Sequence, residues 1–168
     1  MNFIIRPETP ADIAGIHALT AAAFANAEHS SHTEQYIVDA LRARGELTLS
    51  LLAERDGLVA GHVAVSPVTL SNDHPGWYGL GPISVAPALQ GQGIGSALMQ
   101  AALAALQSRG ARGCVLLGDP DYYRRFGFRA EAGLVLPGVP AAYFQALCWQ
   151  PPVPEAEVAY SPAFDAQG

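Results

Sequence analysis

Val85-Ala86-Pro87-Ala88-Leu89-Gln90-Gly91-Gln92-Gly93-Ile94-Gly95-Ser96-Ala97-Leu98 decides the fold. The stretch leaves an apolar, strand-like run and passes through three alternating glycines. It then enters an apolar helical pattern that runs from about Ile94 to Ser108 and closes at Gly110. Glycines at such a junction let backbone N–H groups approach a ligand with no Cβ in the way, and the helix N-terminus adds partial positive charge. By spacing alone the loop reads equally as a phosphate or pyrophosphate site and as a plain tight turn. It is not the dinucleotide fingerprint G-x-G-x-x-G, because Gly91, Gly93 and Gly95 alternate strictly and follow the fourth strand rather than the first. A nicotinamide cofactor is set aside on that ground.

Upstream, Trp77 to Val85 reads as the fourth strand of the chain, with two glycines and an internal proline. Pro82 cannot donate to a ladder, so the strand must bulge or diverge from a neighbour there and leave backbone groups free to pair with something extended. Further out, Phe3–Arg6 is a short strand, and Thr9-Pro10 with Asp12 opens a helix that reaches about Phe24. A second helix starts near 31–33 and stops at Gly45, and Leu47–Glu54 and Leu58–Val65 form a hairpin joined by Arg55-Asp56-Gly57. After the apolar helix, Cys114–Leu117 is a strand, Asp119–Arg125 a short helix and Phe128 onward another strand. The order β-α-α-β-β-β-α-β-α-β defines an α+β, or mixed α/β, domain. It places residues 1–150 in one domain, with 151–168 as a proline-rich tail, extended or partly disordered.

Composition narrows the function. The chain has 168 residues and a formal net charge of −6, which argues against a nucleic-acid module. All nine basic residues are Arg, and without Lys the P-loop nucleotidase motif is excluded. The two cysteines, Cys114 and Cys148, exclude a disulfide framework and a cysteine-rich zinc site. No run approaches a membrane span, and no signal peptide is legible, so the expected setting is the cytoplasm.

Three features together resemble the GNAT superfamily of acyl-coenzyme A-dependent N-acetyltransferases. They are Val85-Ala86-Pro87, the loop from Gln90 to Gly95 leading into Ser96-Ala97-Leu98, and Tyr122-Tyr123-Arg124-Arg125-Phe126-Gly127-Phe128 about thirty residues later. Gly61-His62-Val63 with Ser66-Pro67, and Leu117-Gly118-Asp119-Pro120, are similar to one bacterial branch of predicted acetyltransferases. The resemblance covers roughly residues 3 to 130. It implies a central, mostly antiparallel twisted sheet with flanking helices and a diverging fourth strand.

It also implies an acyltransferase that moves an acetyl group from acetyl-coenzyme A to a primary amine, of a small molecule or a protein, by direct attack on the thioester. Ile83 and Val85 would pair with the pantetheine arm, and Gln90, Gly91, Gln92, Gly93, Ile94, Gly95 and Ser96 would hold the pyrophosphate. Tyr123 matches the family's general acid, with Tyr122 as the neighbour it must be told apart from. Many relatives carry a carboxylate base on the fourth strand, and Trp77–Val85 has none. Glu34 on the second helix is the candidate taken for that role, beside His62 and a water-mediated route. Asp119 reads as a helix cap.

The implied partners are acetyl-coenzyme A and an amine, with no metal, nucleic acid or membrane, in a monomer or homodimer. Glu28, His29 and His32 read as a surface loop rather than a metal site, and Arg124-Arg125 as either phosphate-attracting or merely solvated. The competing function is a non-catalytic acyl-coenzyme A sensor or regulatory module, which would keep the glycine loop but not depend on Tyr123.

Overall fold

The structure, a computed structural model, describes residues 2–28 and 30–168. In chain order the elements are β1 (Ile4–Pro7), α1 (Ile13–Phe24), α2 (Glu34–Ala43), β2 (Leu49–Arg55), β3 (Leu58–Pro67), β4 (Thr69–Leu70), β5 (Trp77–Val85), α3 (Ile94–Ser108), β6 (Gly113–Leu117), α4 (Pro120–Tyr123), β7 (Leu134–Val135), β8 (Phe144–Cys148) and β9 (Ala156–Ala159). Strand order in the larger sheet is β1-β2-β3-β5-β6-β8, and β4-β9-β7 form a small second sheet. Within the larger sheet β1–β2, β2–β3 and β6–β8 are antiparallel and β5–β6 parallel, so the class is the expected α+β with a mostly antiparallel sheet.

The chain condenses into two compact units. The first comprises Met1–Ser66, Gly81–Leu103 and Pro162–Gly168. Pro10 to Asp12 form a 3-10 turn before α1, and the Asp12 carboxylate accepts the Thr9 N–H at 2.7 Å. Thr9 is the N-cap of this turn, and the acid at the third position reaches back to it as a capping box. Ile16, Val38, Leu52 and Ala64 bury one core between the first two helices and the β2–β3 pair. The β2–β3 hairpin closes on Asp56 (φ 52°) and Gly57 (φ 78°), a left-handed pair that matches the twist of the strands.

Arg42 donates to both Glu8 oxygens, at 2.9 and 2.8 Å, and to Asp39 at 3.2 Å. Ser50 also donates to Glu8, and Ser50 Oγ lies 2.8 Å from His62 Nε2. Burial raises the Glu8 carboxyl, but the hydrogen bonds from Arg42 and Ser50 outweigh it and leave its pKa below the usual value.

The second unit comprises Pro67–Leu80 and Ala104–Ser161. Its core gathers Val68, Leu70, Trp77, Val115, Leu134, Phe144, Ala146 and Val158. The β5–β6 ladder runs Trp77↔Gly113, Tyr78↔Cys114 and Gly79↔Val115 and ends there, although β6 continues to Leu117 along β8. The strand expected from Phe128 onward is reduced to a bridge between Arg129 and Ala146 and the two residues of β7. Gly127, at φ 97°, ends a 3-10 turn, and Phe128, 1% exposed, is used as a core plug rather than a ladder residue.

The tail is the main correction. Instead of an extended or disordered 151–168, Val153 packs on the second core and β9 pairs antiparallel with β4 and parallel with β7. Pro162–Asp165 form a 3-10 turn of the first unit, whose Ala163 is buried with Ile37 and Leu41 of α2. The prolines end strands and start turns here; they do not keep the chain loose. The Tyr160 ring lies over Gly79, where a Cβ would come within 2.6 Å of Cε2, so the residue that ends the β5–β6 ladder is glycine because the tail packs on it.

Two outcomes follow from these cores. Tyr160→Ala should lower stability by roughly 3–5 kcal/mol, read by urea unfolding; a change under about 0.5 kcal/mol would mean the tail is not part of the folded unit. His62 is 0% exposed, and burial lowers its pKa from 6.5 to about 4, with the Glu8 charge opposing and Arg42 assisting. Between those values only the unfolded chain binds the proton, so stability rises with pH across the window and is lost as pH falls from 6.5 towards 4. The expected loss is about 3 kcal/mol. His62→Gln should flatten the melting temperature between pH 6.5 and pH 4.5, above the range in which Glu8 contributes; an unchanged slope would refute the assignment to His62.

Candidate functional site

In the first unit the site begins where β5 becomes α3. Ala86 N–H donates to Ala60 O at 2.8 Å and anchors the strand end to β3. Gly91 (φ 78°) and Gly93 (φ 88°) take left-handed conformations, and a Cβ at either would meet nothing within 4 Å. Packing therefore does not require these glycines; the backbone path does, and it leaves open space above the loop amides. The first bond of α3 runs from Ala97 N–H to Gly93 O at 3.1 Å. Helix geometry then leaves the N–H groups of Ile94, Gly95 and Ser96 without intrahelical acceptors, the arrangement that suits an anion.

Gly61 on β3 sets how close this helix start can come. A Cβ there would lie 2.8 Å from Ile94 Cγ2, 2.9 Å from Leu98 Cδ1 and 3.1 Å from Ser84 O. Gly61 entered the sequence comparison only within Gly61-His62-Val63, although a lone glycine inside a strand pattern signals close approach. Arg55, last on β2, donates from Nη1 to Gln92 Oε1 at 3.3 Å. Ile83 and Val85 are half-buried on β5. Glu34 is the first residue of α2, and both its oxygens accept from Ser30 Oγ, at 2.8 and 2.7 Å. His62 is enclosed and bonded to Ser50, which removes it from the surface where a base must work.

In the second unit Asp119 caps α4 by accepting the Asp121 N–H at 2.9 Å, as expected. That start turns Tyr122 and Tyr123 to different surroundings. Tyr122 is covered by the Arg125 guanidinium, 4.5 Å from its centroid, and meets the Phe126 ring edge-on. Tyr123 turns toward Phe128 and lies on Gly118, where a Cβ would be 2.3 Å from its ring. Burial, then the Tyr122 and Asp119 charges, raises the Tyr123 phenol above its usual pKa and keeps it protonated at neutral pH. Gln145, 1% exposed, donates to Gly118 O at 3.0 Å and holds the same turn from β8. Arg124 is 74% exposed with only a 3.5 Å contact to Asp121.

Of the histidine-rich loop, His29 lies outside the described residues, and His32 Nδ1 sits 2.9 Å from Phe24 O. Among the described residues no three His, Cys, Asp or Glu side chains come together, and no helix is long and apolar enough to cross a membrane.

A sequence profile of the Acetyltransferase (GNAT) family matches residues 13–128, from α1 through the Tyr123 turn. The N-acetyltransferase YhbS of Escherichia coli (strain K12) is 40% identical over 130 residues, 77% of this chain and 75% of that protein. A crystal structure of a GNAT family acetyltransferase from Brucella melitensis in complex with acetyl-CoA is 52% identical, covers 98% of this chain and 99% of its own, and superposes with a TM-score of 0.88. That of YhbS from Escherichia coli in complex with CoA is 35% identical over 100% of this chain and 94% of its own, with a TM-score of 0.89. With a profile match that reaches from the first helix through both motifs, this chain belongs to the GNAT acetyltransferase family.

Proposed function

We propose that the protein transfers an acetyl group from acetyl-coenzyme A to a primary amine of a small molecule or a protein, working in the cytoplasm. The observation that carries this reading is the open glycine loop at the start of α3, in a chain 52% identical to a protein crystallised with acetyl-CoA. The amides of Gln90 to Ser96 bind the pyrophosphate, and Ile83 and Val85 pair with the pantetheine arm along the strand edge left after the ladder ends at Gly79. The amine nitrogen attacks the thioester carbonyl; a C–N bond forms, the C–S bond breaks and the amine loses a proton.

Glu34 takes that proton in this reading. Its hydrogen-bond partner Ser30 is neutral, so its charge is not engaged by an arginine as the charges of Glu8 and Asp12 are. Tyr123 serves the departing sulfur. Because a phenol near 10 is a weaker acid than a thiol near 8.5, and burial weakens Tyr123 further, full transfer to a free thiolate runs uphill by more than about 2 kcal/mol. The phenol therefore acts while the C–S bond is breaking, by hydrogen-bonding the sulfur as charge develops. Solvent then supplies the proton that completes the thiol.

Acetyl-CoA or CoA at a hundred times its dissociation constant should raise the melting temperature by roughly 5–11 °C, and NAD should leave it unchanged. No rise with either coenzyme would end this reading. Tyr123→Phe should lower kcat by about 10²-fold or more while keeping CoA affinity, measured as thiol release against a panel of amines. Turnover at the wild-type rate would remove Tyr123 from the chemistry, and wild-type protein that binds coenzyme yet acetylates no amine would favour the regulatory module. Glu34→Gln should depress kcat with little change in coenzyme affinity; unaltered kcat would leave the proton to water.

A further inference from the structure

Resting on the reading of Gln90–Ser96 as the coenzyme's phosphate loop, we infer that Arg55 is a ligand of the coenzyme's pyrophosphate, delivered to the loop by the β2–β3 hairpin. Arg55 is the last ladder position of β2, opposite Leu58, immediately before the Asp56-Gly57 turn. Successive strand residues face opposite sides of a sheet. Glu54 accordingly goes to Arg6, at 2.9 Å, while Arg55 goes to the other side and reaches Gln92 in the middle of the loop. A register shift between Ala53 and Glu54 sits just ahead of the pair, the kind of irregularity that re-aims a side chain.

Charge singles out the same residue. The chain has no lysine, so its permanently charged side-chain cations are all arginines. Among the described residues of the first unit, Arg6 is held by Asp12 and Glu54, Arg42 by Glu8 and Asp39, and Arg44 by Glu46. Arg55 has a 4.0 Å approach to Asp56, itself 87% exposed, and a 3.3 Å hydrogen bond to a neutral amide oxygen. Exchanging that long bond for a phosphate strands no carboxylate. A guanidinium offers phosphate a planar, two-pronged donor set, and the open space above Gly91 and Gly93 lets the anion settle on the amides beside it.

The test is calorimetric titration of CoA and of dephospho-CoA into wild type, Arg55→Ala, Arg55→Gln, Arg44→Ala and Gly93→Val. Both Arg55 variants should bind each ligand about ten-fold more weakly, with unchanged melting temperature in the absence of ligand. Arg44→Ala, which removes the same charge from a surface pair, should bind both as wild type does. A loss confined to CoA, sparing dephospho-CoA, would move Arg55 to the 3′-phosphate and overturn the inference. Undiminished binding of both ligands by the Arg55 variants, with Gly93→Val impaired, would overturn it while leaving the loop reading intact. Wild-type affinity in Gly93→Val would instead overturn the loop reading on which the inference rests.

Discussion

The first turn of α3 lies against β3 at Gly61 with no room for a side chain, since any Cβ would meet Ile94, Leu98 and the Ser84 carbonyl at 3.1 Å or less. Ile94 and Leu98 are 1% and 0% exposed, so the contact is a sealed apolar one and the helix start cannot drift. The glycine loop hangs from that fixed point. Its upstream end is tied by Ala86 to Ala60, one residue before Gly61 on the same strand. Both ends being anchored to β3, Gly91 and Gly93 can take left-handed conformations with nothing packed over them and still keep the N–H groups of 94–96 in place. Preorganisation of this kind removes the ordering cost from ligand binding.

The second unit uses the same device around Tyr123. Gly118 gives up its side chain to seat the tyrosine ring, Asp119 starts the short helix and Gln145 holds the Gly118 carbonyl from the neighbouring strand. A helix of four residues has little stability of its own. Its position comes from what the turn is attached to on either side. Tyr122, one residue earlier, is turned to Arg125 and Phe126, and this difference separates two phenols that are adjacent in sequence.

Electrostatics divides the arginines into structural and available ones. Arg6 and Arg42 each bridge two carboxylates and tie β1 to the turn before α1 and to α2. The half-buried chain from Arg42 through Glu8 and Ser50 ends on the enclosed His62, whose Nε2 it provides with a partner. With these charges engaged, a chain of net charge −6 leaves few arginines free to meet an anion.

Local chemistry determined much of this protein in the sequence alone. Alternating glycines before an apolar helix located the loop, Arg55-Asp56-Gly57 located the hairpin and Asp119-Pro120 started the tyrosine-bearing turn, while Pro82 singled out the strand that leaves its neighbour but not the place, since the ladder already ends at Gly79. Each is a short-range signal, because φ, ring closure and capping act within a few residues. The tail was opaque for the opposite reason. β9 is a strand only because Thr69–Leu70 and Leu134–Val135, two-residue pieces far away in sequence, pair with it on either side. Ala163 is core only because Ile37 and Leu41 meet it, and no periodicity in 151–168 records those partners. Which tyrosine is seated on Gly118, which histidine is enclosed and which arginines are held by carboxylates are likewise decided by tertiary structure. Burial and charge pairing depend on residues brought together from different parts of the chain, and a linear pattern holds no term for them.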